Sequence, residues 1–182
     1  MHIVTERLII REFVEDDWDQ VLAYTADPVV MKYIPEGVFT EEKARQFVLL
    51  HQGKNAKNYA VTLREGQALI GHIVFHPWFG EHTYEIGWVF HPGYQRKGYA
   101  TEAAASTLNY AFTNLGLHRV VATCQPDNIA SYRVMEKIGM RREGHFIQCI
   151  PREDGTWWDE YYYAVLKSEW VLCSSRSSKD AK

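Results

Sequence analysis

Apolar and polar positions alternate in two different rhythms along this chain, and the change between them marks its elements. Leu8-Ile9-Ile10-Arg11-Glu12-Phe13 is a short β-rich run. Over 16–25 the period lengthens: Trp18, Val21 and Leu22 recur at helical spacing, with acidic residues near the start, where a helix dipole favours them. Pro28 ends that helix, and 29–33 is expected to form a short helical turn. Thr40 stands as N-cap to a second helix over 41–51, with Ala44, Phe47, Val48 and His51 on one face.

The period then shortens. Runs 58–64 and 69–75 are β-rich and joined by the hairpin signal Glu65-Gly66-Gln67; 84–90 continues the antiparallel meander. Along that third run, period two sets Glu85, Gly87 and Val89 on one face and Tyr84, Ile86, Trp88 and Phe90 on the other, the second expected to face the core. Gly87 is expected to mark a bulge or a close neighbour. A glycine-containing turn over 95–100 leads into a helix near 101–114, striped by Ala100, Ala104, Leu108, Ala111 and Leu115. A strand over 119–124 follows. The next helix, 128–138, puts Asn128, Ser131, Met135 and Ile138 on one face and points Arg133 and Lys137 away. An antiparallel pair, 140–150 and 157–166, closes the pattern around Asp154-Gly155. The order β α α β β β α β α β β implies an α/β (α+β) fold, a mixed sheet with helices packed on it.

Composition narrows the function. The 182 residues suit one domain over 1–172, and 46% apolar residues suffice for a core without metals or disulfides. Residues 173–182, rich in Ser and Lys, read as a disordered tail. A net charge of −3 gives no general attraction to nucleic acid or anionic membrane. Cys124, Cys149 and Cys173 are odd in number and form no CxxC, as expected in a reducing compartment. The N-terminus lacks the apolar run of a signal peptide, and no stretch reaches about 18 apolar residues, so a cytoplasmic protein is expected. Eight histidines show no metal spacing; His72 and His76 lie four apart on a strand, so no metal site is expected.

Chemistry concentrates in Phe90-His91-Pro92-Gly93-Tyr94-Gln95-Arg96-Lys97-Gly98-Tyr99-Ala100-Thr101. A strand ends, Pro and Gly redirect the chain, and a helix begins. Its first N–H groups and dipole suit a phosphate or pyrophosphate. Gly98 lets the backbone approach an anion, the small Ala100, Ala103, Ala104 and Ala105 let the helix lie close to the sheet, and Arg96 and Lys97 add positive charge. The pattern is neither a Walker loop nor GxGxxG, and residue chemistry alone equally allows an ordinary loop with solvated Arg96 and Lys97.

Gln95-Arg96-Lys97-Gly98-Tyr99-Ala100, continued by Thr101-Glu102-Ala103, resembles the Gln/Arg-x-x-Gly-x-Gly/Ala motif of the GNAT (Gcn5-related N-acetyltransferase) superfamily. Asn128-Ile129-Ala130-Ser131 with Glu136-Lys137-Ile138-Gly139-Met140 resembles its second motif, Met140 replacing the usual Phe. Thr5-Glu6-Arg7-Leu8-Ile9-Ile10-Arg11 is similar to the opening of the RimJ/RimL-like branch, which acetylates ribosomal-protein N-termini. The resemblance spans about residues 3–170. It implies the GNAT fold, a mixed and mostly antiparallel twisted sheet with helices on both faces, and an acyltransferase moving acetyl from acetyl-CoA to a primary amine by direct transfer.

By the same resemblance, the pyrophosphate sits on main-chain N–H groups within 96–101, with Gln95, Arg96, Lys97, Gly98, Tyr99, Ala100 and Thr101 all cofactor-binding. The pantetheine arm runs along Trp88, Val89 and Phe90 like an added strand, and Asn128 and Ser131 also touch the cofactor. Glu85, beside the strand that carries the thioester, is the candidate base, and a structural acid in an ion pair is its alternative. Asn128 also suits a helix N-cap. Many superfamily members protonate the leaving thiolate with a Tyr where this chain has Met135, so the role passes to Ser131, with Tyr132 as alternative. The missing Tyr also leaves open a degenerate acyl-CoA-binding sensor. The acceptor is a protein N-terminus or a small molecule such as a polyamine or antibiotic, with 150–157 bordering its pocket. Homodimers are common in the family.

Overall fold

The computed structural model describes residues 1–152 and 154–170. The tail 173–182, with Cys173, lies outside them. The strands are β1 (Ile3–Val4), β2 (Leu8–Arg11), β3 (Asn58–Leu63), β4 (Leu69–Pro77), β5 (Thr83–Phe90), β6 (Arg119–Cys124), β7 (Arg141–Pro151) and β8 (Trp157–Leu166); the helices are α1 (Trp18–Thr25), α2 (Glu41–Leu50), α3 (Tyr99–Thr113) and α4 (Ile129–Lys137). Hydrogen-bonded neighbours run β1-β2-β3-β4-β5-β6-β8-β7 in one mixed, open sheet, with β5 and β6 parallel. The described residues fall into two compact units, the first of residues 1–76 and 86–107, the second of 77–85, 108–152 and 154–170.

In the first unit β1, β2, β3 and β4 pair antiparallel, with a bulge between Val61 and Thr62. Phe13, Val21, Tyr24, Met31, Phe39, Ala44, Val48, Ala60, Leu69 and Val89 form its core, and Trp18, Leu22, Val30, Ile34 and Phe47 pack against it. The helix expected from Asp16 begins as a 3-10 turn, Glu15–Asp17, because the Asp17 carboxylate accepts the Val14 N–H at 2.8 Å and a forked pair of bonds from Arg11. Segment 29–33 is turns rather than a continuous helix: the Asp27 side chain accepts the Val29 N–H at 2.8 Å and its carbonyl accepts the Met31 N–H at 3.1 Å, a single capped turn that goes no further. Thr40 caps α2 as expected, accepting from the Lys43 N–H.

One expectation for β5 fails. Val89, assigned to the outer face, lies in the core, whereas Trp88 is only half-buried; both faces of the strand are packed, so period two does not separate core from surface. The neighbour at Gly87 is the Val74 side chain, which a Cβ would meet at an ordinary 3.4 Å; the tightest backbone approach lies elsewhere. It is at Gly71 on β4, where a Cβ would stand 2.3 Å from the Val89 carbonyl oxygen. On α3 the buried stripe is Ala103, Ala104, Thr107, Leu108, Ala111 and Phe112; Leu115 lies beyond the helix end and is exposed.

In the second unit Thr83, Tyr84 and Glu85 of β5 pair with Arg119, Val120 and Val121 of β6, which pairs antiparallel with β8 along its whole length. β7 lies outside β8 and shifts register twice, between Arg142 and Gly144 and between Phe146 and Ile150. α4 buries Met135 and, just past its end, Ile138, while Arg133 and Lys137 are exposed as expected.

Candidate active site

The turn between β5 and α3 is built by local bonds. His91 N–H donates to the Ile70 carbonyl at 2.9 Å, fixing the end of β5 against β4. A 3-10 turn, Pro92–Tyr94, follows, and the Gln95 side chain reaches back to donate to the Phe90 carbonyl at 3.0 Å. Arg96 and Gly98 both take positive φ, 61° and 83°. Left-handed residues alternating with ordinary ones turn successive N–H groups toward a common side. Because α3 starts at Tyr99 and its first bond runs from Glu102 N–H to the Gly98 carbonyl, the N–H groups of Tyr99, Ala100 and Thr101 have no acceptor within the helix. Residues 95–98 are exposed. The result is an open cluster of donors at the positive end of a fifteen-residue helix, suited to an anionic phosphate.

The Lys97 ammonium folds back onto the Gly93 carbonyl at 2.9 Å and over the Tyr94 ring, so it stiffens the turn. Val89 and Phe90 are buried, leaving their backbone as the part able to meet a ligand, and the Phe90 carbonyl is already engaged by Gln95. Thr5, Arg7 and Glu102 were missed as members of this site. Glu102 accepts from the Thr5 hydroxyl at 2.6 Å, from the Arg7 N–H at 3.1 Å and from Arg7 Nε at 2.6 Å, while Arg7 Nη1 donates to the Lys97 carbonyl at 3.1 Å. The signal was present in the opening Thr5-Glu6-Arg7 and in Glu102, but nothing in the sequence joins segments 95 residues apart.

In the second unit the first turn of α4 meets the end of β6. Asn128 caps the helix, its side chain accepting the Ser131 N–H at 3.3 Å. The half-buried Ser131 presents its hydroxyl to the buried Cys124, as the Tyr132 main chain presents its N–H. Burial pushes the Cys124 thiol up to about 11, partly offset by those two hydrogen bonds. Tyr132 packs edge-on against Tyr161 at 6.0 Å. Met135 is buried and carries no acidic proton. Glu85 lies half-buried on β5, in register with Val121. No cluster of three or more His, Cys, Asp or Glu able to hold a metal occurs among the described residues, and no helix among them is long and apolar enough to cross a membrane.

Residues 7–141 match the acetyltransferase (GNAT) domain family. The chain belongs to the GNAT acetyltransferases. It is 64% identical over 170 residues to the uncharacterized N-acetyltransferase YnaD of Bacillus subtilis, covering 93% of this chain and 99% of that one. A crystal structure of a GNAT-family acetyltransferase from Bacillus anthracis superposes with a TM-score of 0.89 at 62% identity, covering 93% of this chain and all of that one. At 21% identity the fold alone is shared with a spermidine N-acetyltransferase from Vibrio cholerae in complex with CoA and spermine (TM-score 0.79, 92% of this chain, 99% of that one). GNAT acetyltransferases draw the transferred group from acetyl-CoA.

Proposed function

We propose that this enzyme transfers the acetyl group of acetyl-CoA directly to the α-amino group of a protein or peptide, in the cytoplasm. The observation that carries the cofactor half of this reading is the turn 95–101, where two left-handed residues and the start of α3 expose main-chain donors. The diphosphate rests there, and the pantetheine arm pairs with main chain at Trp88 and Val89, stopping short of the Phe90 carbonyl that Gln95 occupies. Asn128 touches the cofactor and caps α4 at once.

Chemistry then needs a neutral amine. At pH 7 deprotonation costs about 1.4 kcal/mol per pKa unit above 7, so an α-amino group costs roughly 1–1.4 kcal/mol and a lysine about 5 kcal/mol. Glu85 takes the amine proton through water as nitrogen attacks the thioester carbon; the C–S bond breaks, and the thiolate leaves to be protonated. Ser131 hydrogen-bonds the departing sulfur. Cys124 supports direct transfer over an acyl-cysteine route: its thiol stays protonated at neutral pH and is a poor nucleophile. The α-amine reading rests on the opening Thr5–Leu8 pattern of the RimJ/RimL-like branch. A polyamine acceptor is the second reading, favoured by the fold neighbour that carries spermine.

CoA release over a panel of free-N-terminus peptides, N-blocked peptides and spermidine decides among these. Turnover with free N-termini alone is expected. Turnover with spermidine alone selects the second reading, and CoA binding without turnover on any amine overturns both in favour of a sensor. Glu85→Gln is expected to lower kcat/KM about 100-fold while leaving acetyl-CoA affinity unchanged, as removal of a general base does.

A further inference from the structure

The Thr5–Arg7 segment has no part in the mechanism above, yet it is bonded to the turn on which that mechanism depends. All three guanidinium nitrogens of Arg7 are committed: Nε and Nη2 lie 2.6 Å from Glu102 Oε2, and Nη1 lies 3.1 Å from the Lys97 carbonyl. The same guanidinium sits over the Tyr99 ring at 4.6 Å, and a Cβ on Gly98 would stand 3.4 Å from Nη2. Thr5 fixes the other carboxylate oxygen and is held by Leu8, whose N–H donates to the Thr5 hydroxyl at 2.9 Å. Burial alone would raise the Glu102 carboxyl, but the bonds from Thr5 and Arg7 outweigh it and hold it below the usual carboxylate range, so Glu102 is ionised.

Glu102 is thus a negative charge in the first turn of α3, on the helix end expected to receive a diphosphate. Left bare, it would compete with the ligand for the positive end of the dipole and repel it. Glu102 and the Lys97 carbonyl engage three of the five guanidinium N–H groups of Arg7, and through these bonds it acts on its neighbours. We infer that Arg7 is a positioning residue for acetyl-CoA: it neutralises Glu102 and, by holding the Lys97 carbonyl, keeps the N–H groups of the turn open to the diphosphate. This rests on the reading of the turn as the diphosphate site.

The test compares two donors, acetyl-CoA and S-acetylpantetheine, which lacks the diphosphate. Arg7→Gln is expected to raise KM for acetyl-CoA about tenfold with kcat within about twofold, and to leave kcat/KM with S-acetylpantetheine nearly unchanged. Adding Glu102→Gln to Arg7→Gln removes the bare carboxylate and is expected to recover at least about a third of that loss, a rescue that a merely structural latch would not show. Equal losses with both donors, or no recovery in the double variant, overturn the inference while the diphosphate reading stands. If the unaltered enzyme uses both donors equally well, the diphosphate reading itself fails, and the inference with it. Should Arg7→Gln not fold, Arg7→Lys keeps the charge but loses the forked bonds; a rise of about two- to fivefold in KM, confined to acetyl-CoA, is expected, and its absence overturns the inference.

Discussion

Gly71 and His72, neighbours on β4, act by what their surroundings exclude. At Gly71 any Cβ would enter the Val89 carbonyl oxygen and the Phe90 backbone, which cannot swing aside as a side chain would. Gly71→Ala is therefore expected to destabilise the protein by about 2 kcal/mol or more in urea denaturation, and to raise KM for acetyl-CoA because the displaced strand end leads into the turn. An unchanged denaturation midpoint would show the two strands to be less closely packed than described. The sequence did not flag Gly71, because a strand glycine announces that something comes close without saying how close or from which side. His72 is buried among Phe13, Tyr24 and Phe47, with Nδ1 2.8 Å from the Tyr24 hydroxyl. Burial, aided by nearby His51, lowers its pKa to about 3, so the folded protein holds it neutral. Between about pH 6.5 and pH 3 the unfolded chain binds a proton that the native state refuses. The contribution of His72 is thus complete above pH 6.5 and is lost as pH falls, at up to about 1.4 kcal/mol per pH unit. Comparing urea denaturation of the unaltered protein and His72→Gln from pH 7.5 to 4.5 is expected to show the variant with the shallower decline; parallel curves would contradict it.

At the scale of elements, legibility followed how local the determinants are. α4 could be read at both ends. Asn128 caps its start, and at its end Gly139 takes φ 80° while its N–H donates to the Glu136 carbonyl and the Met140 N–H to the Met135 carbonyl. Met140, the departure from the family motif, fills the buried apolar position that this helix stop uses, so the exchange of Phe for Met keeps the role. β5 was misread because its burial depends on what packs against each face. The double role of Asn128 can be separated at this scale. Asn128→Ala is expected to cost about 1 kcal/mol of stability, whereas Asn128→Ser caps as well and costs little. If Asn128 also touches acetyl-CoA, both variants raise its KM; KM tracking stability instead would reduce Asn128 to a cap.

For the whole molecule, the GNAT assignment was legible because three motifs stand in order along the chain, while the Thr5–Arg7–Glu102 latch was not, since it is a contact between distant segments. The assignment has a global consequence. A ligand that binds only the folded chain stabilises it by RT ln(1 + [L]/Kd), about 2.7 kcal/mol at a hundredfold excess over Kd. For a chain of 182 residues that corresponds to a rise in Tm of roughly 5–10 °C. Since the proposed anchor is main-chain N–H groups and a helix dipole meeting phosphate charge, added salt should shrink the rise, with screening lengths falling from about 10 Å at 0.1 M to about 3 Å at 1 M. Gly98→Glu should abolish it twice over. Its φ of 83° strains any side chain, and the new carboxylate would lie beside the Arg7 guanidinium, where it competes with Glu102 and faces the diphosphate. Differential scanning fluorimetry with acetyl-CoA, at low and high salt, reads all three effects. A rise that survives both high salt and Gly98→Glu would mean that acetyl-CoA is held by something other than this turn.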